Sequence, residues 1–537
     1  MKILYINPFP LGSGLDDIYV NPPLSLISIA AMVPEHEAKL IDFKVEKFQE
    51  KKFVQELNRH DVVAITSMTP QIYSALYLAE MAKKQGCTTI LGGYHSTLVP
   101  DYVAKNPNVD YAVRGEGEHT FKELIDYLDN NENKLELKKI DGLSYKNKDG
   151  TIVHNKDRQL ERNLDNFPMP RRDLLRPKAY MDFGARLATL ETSRGCPHNC
   201  TFCCIIKMWK DPTQKIAYRS KSLGRIMKEI YDIDRRNNFI FFCEDNFTIN
   251  VKRTKKILDT IIRSGIHNHF RFACQSRVDT LYRNQWLIDL LYKANFRQVF
   301  LGIESIHQQS LNAMNKRNTT PVMVKKVVKM LRDKGISVFG GVIIGYPGET
   351  RHMVLQNIQY IKMLDLDLVQ FTPITAFPGT PFFEEMKAKG MITSNNYKNY
   401  DLFHPMMRTE QLSNVEMYRL VAEAYACYYL DKMWFKNRVK EYLNPFGKFN
   451  WMISSLMRSA KQGVVGGSSM LFRQGISTRI ISDELKQIKF DDEIFDKFIS
   501  EAAIKIAEEK VREEAVNENL DNENQAKKKQ IVVSSEQ

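Results

Sequence analysis

Residues 191–205 read ETSRGCPHNCTFCCI and hold four of the chain's eight cysteines, Cys196, Cys200, Cys203 and Cys204. Three of them stand in the spacing C-x3-C-x2-C, a pattern suited to binding soft metals as thiolates. Structural zinc sites use four ligands, usually in paired C-x2-4-C knuckles. Bacterial ferredoxins hold iron–sulfur clusters through C-x2-C-x2-C and a distant fourth cysteine. Three thiolates would leave one iron of a 4Fe–4S cluster open to a small molecule. The spacing favours a cluster over zinc without deciding between them. Cys204 adjoins Cys203, and adjacent cysteines rarely point at one metal, so it reads as a packed thiol.

The elements around this loop must position it. An apolar strand over 186–196 leads into the cysteines. Strand-like runs follow at 239–247, 271–277, 298–305, 337–349 and 367–380, separated by helical stretches such as 223–236. Six βα units predict a partial (βα)6 TIM-type barrel over 182–405, with its site at the C-terminal rim of the strands. The cysteine loop follows the first strand and so falls on that rim.

Residues 1–142 repeat the alternation. Strands are expected at 2–8, 38–43, 61–67, 88–95 and 109–117, with an amphipathic helix over 70–86. This predicts a Rossmann-like, doubly wound parallel sheet, whose ligands sit at the carboxyl ends of the strands. Those ends carry Asn7 and Pro8, Ser67, Met68 and Thr69, Gly92, Gly93, Tyr94 and His95, and Arg114, Gly115, Glu116 and Gly117. Gly92 and Gly93 either turn the chain or let a flat ligand approach the backbone. No G-x-G-x-x-G follows the first strand, so a dinucleotide site is not supported.

Residues 143–181 read as a linker and 406–506 as a mostly helical C-terminal region. Residues 400–439 carry an aromatic, core-like stripe. Residues 443–475 mix Phe446, Phe449 and Trp451 with basic residues. That stretch reads either as a helical cap over the barrel mouth or as a basic segment lying in a membrane interface. Residues 507–537 are charged and poor in aromatics, the composition of a disordered tail.

At 537 residues the chain exceeds one typical core, and 43% hydrophobic content is ample for several. A net charge of +13 suits an anionic partner without naming one. No apolar run reaches the roughly 20 residues of a membrane-spanning helix. The N-terminus lacks the apolar core and cleavage site of a signal peptide. Clustered cysteines in a long chain point to thiolate chemistry in a reducing compartment. A cytoplasmic location is therefore expected, with peripheral membrane contact as the variant that 443–475 would permit.

With these residues in hand, the chain resembles the radical S-adenosylmethionine enzymes. The cysteine motif is preceded by TSRGCP and carries aromatic Phe202 just before its last cysteine. CEDNF (243–247), GIES (302–305), GYPGET (345–350) and FPGTP (377–381) follow in the family's order. The N-terminal segment is similar to the cobalamin-binding domain of one large branch, through NPP (21–23), GGYHST (92–97) and RGEGE (114–118).

The resemblance implies that Cys196, Cys200 and Cys203 ligate three irons of a 4Fe–4S cluster, and that S-adenosylmethionine chelates the fourth. It implies that Phe202 lies near the adenine. Glu244 and Asp245 would meet the methionine amino group, although the family's usual glycine pair is absent there. Arg277 would pair with the methionine carboxylate or form a rim salt bridge, and Glu304 and Gly345 would lie near the ribose and adenine. Ser67, Thr69, Gly92, Gly93, His95, Arg114 and Gly115 would line the cobalamin pocket. The D-x-H-x-x-G motif is absent, so His95 is not assigned as a cobalt ligand.

The implied chemistry is reductive cleavage of S-adenosylmethionine, hydrogen abstraction from an unactivated carbon, and methyl delivery from cobalamin. A hydrophobic substrate such as an isoprenoid lipid or tetrapyrrole is expected, with an external flavodoxin- or ferredoxin-like electron donor and no nucleic-acid partner. A ring-forming cyclase with the same cofactors is the alternative. A methylthiotransferase would need three more cysteines in the N-terminal domain, which has only Cys87. A non-catalytic carrier would need neither GYPGET nor a complete barrel.

Overall fold

The computed structural model describes residues 1–10, 20–129, 136–176, 179–182, 185–209, 218–432, 434 and 436–437. All of these fall within one compact unit, 1–485. The basic stretch 443–475 and the charged tail 507–537 lie outside the described residues.

The first sheet has seven strands: β1 (Lys2–Asn7), β2 (Glu37–Asp42), β3 (Val62–Thr66), β4 (Thr88–Gly92), β5 (Tyr111–Val113), β6 (Leu143–Lys146) and β7 (Ile152–His154). Their order is β2-β1-β3-β4-β5-β6-β7. The first five run parallel, and β6 and β7 continue the sheet antiparallel. Alternate residues of each strand serve opposite faces. Leu4, Ile6, Val63, Ile65 and Leu91 pack with Ile72, Ala75, Leu78 and Ala82 of the helix Ile72–Lys84. Ile3, Tyr5, Val62, Ala64 and Ile90 pack on the other face with Leu26, Ile27, Phe121, Leu124 and Ile125. The sheet is therefore doubly wound, with buried strands that read as continuous apolar runs.

Two expectations change here. Residues 143–181 are not simply a linker, since β6 and β7 extend the first sheet; LSYK and IVH are too short and too mixed to announce themselves as strands. The strand expected over 109–117 stops at Val113, because Gly115 turns the chain at φ +68° and a helix begins at Gly117.

The second sheet holds β8 (Met181–Asp182), β9 (Ala185–Leu190), β12 (Phe239–Phe242), β13 (Arg271–Arg277), β14 (Phe296–Glu304), β15 (Ser337–Ile344) and β16 (Leu368–Pro373). The order is β16-β15-β14-β13-β12-β9-β8. Six strands run parallel and β8 pairs antiparallel at one edge, giving a half-barrel whose parallel strands share one C-terminal rim. Between them, β10 (Ser193–Arg194) and β11 (Arg219–Ser220) form a two-stranded antiparallel ladder.

The other edge, β16, is covered by the helix Asn414–Tyr429. Ser413 and Glu416 start that helix with a reciprocal capping box. Val369 N–H donates to the Tyr429 hydroxyl (2.8 Å), and that hydroxyl donates to Val369 O (2.8 Å). Phe371 N–H donates to Tyr425 (3.2 Å), and Tyr428 donates to Leu366 O (2.6 Å). Backbone groups that no strand pairs are thus satisfied by tyrosine side chains. Among the described residues no helix is long and apolar enough to cross a membrane.

Candidate functional site

The cysteine loop leaves β9 at Leu190, and the β10–β11 ladder closes its base. Gly195, at φ +85°, makes the turn into Cys196. Cys203 N–H donates to Cys200 O (3.1 Å), which curls the motif. The loop is pinned to the rim by three contacts. Thr201 N–H donates to Met314 O (3.2 Å), Asn315 Nδ2 donates to Asn199 O (2.8 Å), and the Thr201 hydroxyl lies 2.9 Å from that of Tyr346.

Burial pushes the Cys196 and Cys203 thiols upward and that of Cys204 to about 11, with the neighbouring Asp245 carboxylate adding to each shift. Such thiols stay protonated until a cationic centre replaces the proton, so the donor set fits a metal cluster. Among the described residues, no three His, Cys, Asp or Glu side chains gather as ligands of one metal ion.

The rim residues divide by partner. Glu244 is buried and turned into the protein, accepting from the Thr192 hydroxyl and from Thr192 N–H (3.2 Å). Its carboxyl is pushed up to about 7, chiefly by burial. Asp245 is held at about 6, by burial and then by the Glu191 carboxylate, and no described residue donates a hydrogen bond to it. Arg277 forms the rim salt bridge: Nε donates to Asp279 (2.9 Å), and Nη1 lies 3.8 Å from the Cys200 sulfur. Gly345, at φ +76°, abuts Met417, whose Cε would lie 3.0 Å from an added Cβ.

A cavity of about 440 Å³ lies between the two rims. The first sheet contributes Met68, Thr69, Tyr94 and Leu98; the barrel side contributes Phe202, Cys203, Cys204, Phe300, Glu304 and Ile343; Phe377, Tyr400 and Leu402 line the rest. Of the seven residues expected around cobalamin, Thr69 alone is on this wall. Gly93 turns at φ +95°, and an added Cβ would sit 2.9 Å from Ser67 O. His95 is fully buried, with its ring 4.6 Å from Tyr397 and 5.7 Å from Tyr102, and burial lowers it to about 4. Arg114 faces the β6–β7 side, where it binds the Asp157 carboxylate and Asn155 O. Ser67, Gly92 and Gly115 hold the strand ends: the Ser67 hydroxyl donates to Met68 O (2.9 Å), Gly92 O accepts from Ser67 N–H (3.0 Å), and Gly115 N–H donates to Thr97 (2.9 Å).

Met68 and Tyr94 stand at the strand ends that the sequence marks, though outside the residues expected to line the cobalamin pocket, and Leu98, one turn beyond Tyr94, was not singled out. Tyr94 reaches the cysteine loop. Burial pushes its hydroxyl well up, and the Asp245 carboxylate adds to this.

The two sheets are joined beneath the loop by buried charges. Arg194, two residues before Cys196, pairs with Glu116 (2.8 Å), Glu118 (2.7 Å) and Glu191 (2.7 Å). Arg219 pairs with Glu116 (2.9 Å), while Lys221 (2.8 Å) and Arg225 (2.7 Å) pair with Glu229. The Arg194 guanidinium also lies 5.0 Å over Phe167. Four cations balance four carboxylates, the condition under which charges tolerate burial. The RGEGE motif thus supplies Glu116 and Glu118 to the base of the cysteine loop.

A half-barrel bearing a three-cysteine loop on its rim, with a doubly wound domain facing that rim, defines a class of radical enzyme. Residues 190–361 match the radical SAM superfamily and residues 19–125 match the B12 binding domain. An uncharacterized methyltransferase of Pyrococcus horikoshii is 33% identical over 440 residues, 80% of this chain and 93% of the relative. The chain belongs to the cobalamin-dependent branch of the radical S-adenosylmethionine superfamily. It is an enzyme whose cofactors are a 4Fe–4S cluster, S-adenosylmethionine and cobalamin. The anaerobic magnesium-protoporphyrin IX monomethyl ester cyclase of Rubrivivax gelatinosus is 24% identical over 444 residues, 80% of this chain and 78% of that one. The cobalamin-dependent radical enzyme OxsB shares the fold, with a TM-score of 0.64 at 16% identity, covering 92% of this chain and 82% of its own.

Proposed function

We propose that the protein methylates an unactivated carbon of a hydrophobic small molecule. The observation that carries this reading is the cavity between the two rims. Its wall is mainly Met68, Leu98, Phe202, Phe300, Ile343, Phe377 and Leu402, and its size lies within the range of small-molecule sites. Such a wall recognises apolar surface, as an isoprenoid lipid or a tetrapyrrole would present. The relatives' names include both a methyltransferase and a tetrapyrrole cyclase, and both chemistries suit this kind of substrate.

Cys196, Cys200 and Cys203 would hold the cluster, with Cys204 left as a packed thiol. Asp245 has a carboxylate free to meet the amino group of S-adenosylmethionine, and Arg277 has one edge facing the loop for its carboxylate. Phe202 would lie against the adenine. Met68, Thr69 and Tyr94 would face cobalamin from the first sheet. Bound together, these cofactors supply a hydrogen-abstracting radical and a transferable methyl group. The protein's own task is to exclude water with the apolar wall and to orient the groups across it. An external one-electron donor, flavodoxin- or ferredoxin-like, is required.

The test is a product ratio. The anaerobically reconstituted enzyme is given reductant, S-adenosylmethionine and a host lipid and pigment extract. Comparable, extract-dependent yields of 5′-deoxyadenosine and S-adenosylhomocysteine are expected. Deoxyadenosine without S-adenosylhomocysteine would replace methylation with ring formation.

A further inference from the structure

We propose that Lys316 is a positioning residue that holds the Glu304 carboxylate at the cavity wall, with Gly302 providing the space for it. Nothing in the sequence motifs singles out Lys316, which follows β14 by twelve residues.

Three observations converge. Glu304 ends β14 at φ +64°, a backbone state that residues with a Cβ rarely adopt, and the register with β15 shifts between Gly302 and Glu304. The Lys316 side chain is only 4% exposed, and its ammonium donates to Glu304 Oε1 (2.6 Å) and Gly302 O (2.7 Å). A Cβ on Gly302 would lie 2.4 Å from Glu304 Oε1 and 2.7 Å from Lys316 Nζ. The clamp therefore requires glycine at 302.

The arrangement leaves Glu304 with one oxygen fixed and the other without a donor among the described residues. Glu304 lines a cavity that is otherwise mainly apolar. A pinned carboxylate there is an acceptor waiting for hydroxyl or amine donors on a ligand. The turn that delivers Lys316 also pins the cysteine loop, through Met314 O and Asn315. Lys316 thus ties the acceptor to the same support that carries the thiols. The inference rests on the proposed function and on the reading, implied by the family resemblance, that S-adenosylmethionine meets Glu304.

Equilibrium dialysis of S-adenosylmethionine against the cluster-loaded protein tests it, using wild type, E304Q, K316M and the double variant. Each single variant is expected to weaken binding at least about tenfold, the loss of a hydrogen bond to a charged group. Because Lys316 acts through Glu304, the double variant should bind no worse than E304Q. Wild-type affinity in K316M, or multiplied losses in the double variant, overturns the proposal. If K316M fails to fold, the double variant, which leaves neither charge unpaired, is compared with E304Q, and a further tenfold loss overturns it. Iron content separates the wider reading from this one: a wild type that keeps its iron and binds no S-adenosylmethionine overturns both.

Discussion

Replacing Glu116 by alanine probes the charge network beneath the cysteine loop. Glu116 accepts from Arg194 (2.8 Å), from Arg219 (2.9 and 3.0 Å) and from Glu161 N–H (2.9 Å), and it is nearly fully buried. Arg194 keeps Glu118 and Glu191, but no described carboxylate other than Glu116 pairs with Arg219. Removing one partner of a buried pair costs about 3–5 kcal/mol, because the remaining charge stays desolvated. A chain with two sheets is not expected to unfold in one step, so the loss is best read locally. Amide exchange in segments 111–118 and 191–195 should accelerate by about two to three and a half orders of magnitude, at 1.4 kcal/mol per decade. E116Q, which keeps the acceptor and the shape, should accelerate exchange less. Exchange within threefold of wild type in E116A would refute the view that this network fastens the first sheet to the cysteine loop.

Two further outcomes are expected. Alanine at Cys196, Cys200 or Cys203 should abolish iron retention after anaerobic reconstitution, whereas C204A should retain wild-type iron; loss of iron in C204A would make that thiol a ligand. The second concerns pH. Burial raises Glu244 from 4.5 to about 7, so the folded protein keeps a proton that the unfolded chain releases. Its contribution is complete below pH 4.5 and is lost as pH rises through 7. E244Q has no such loss, so its stability relative to wild type should improve across that window by about 3 kcal/mol in the cofactor-free protein. Parallel pH–stability curves for the two would contradict the assignment.

The barrel was legible because its strands are apolar runs at even spacing, and the cysteine loop because its spacing is rare. Other features depend on partners remote in sequence. Arg114 looked like a ligand contact at a strand end, yet its partner Asp157 lies 43 residues away, beyond two strands that read as linker. His95 stood in a motif of small and polar residues, but of the rings it touches, Tyr102 and Tyr397, the second lies about 300 residues away, beyond the last barrel strand. Glu304 stands in a motif, GIES, and on the cavity wall, whereas Lys316 drew no notice, since a lone lysine in NAMNKRN carries no periodic or spacing signal. The division between Glu244 and Asp245 follows from Thr192, which only folding brings beside one of them.

The tyrosines that cap β16 bear on how the polypeptide behaves outside its native state. An unclosed barrel presents an edge that could template pairing with another molecule. Here the guard is not a charged residue or a proline but Tyr425, Tyr428 and Tyr429, delivered by a helix made after the whole sheet in chain order. During synthesis β16 therefore emerges before its cover. A chain ending at residue 413 would hold that edge permanently open, and self-association would compete with folding from its first moments.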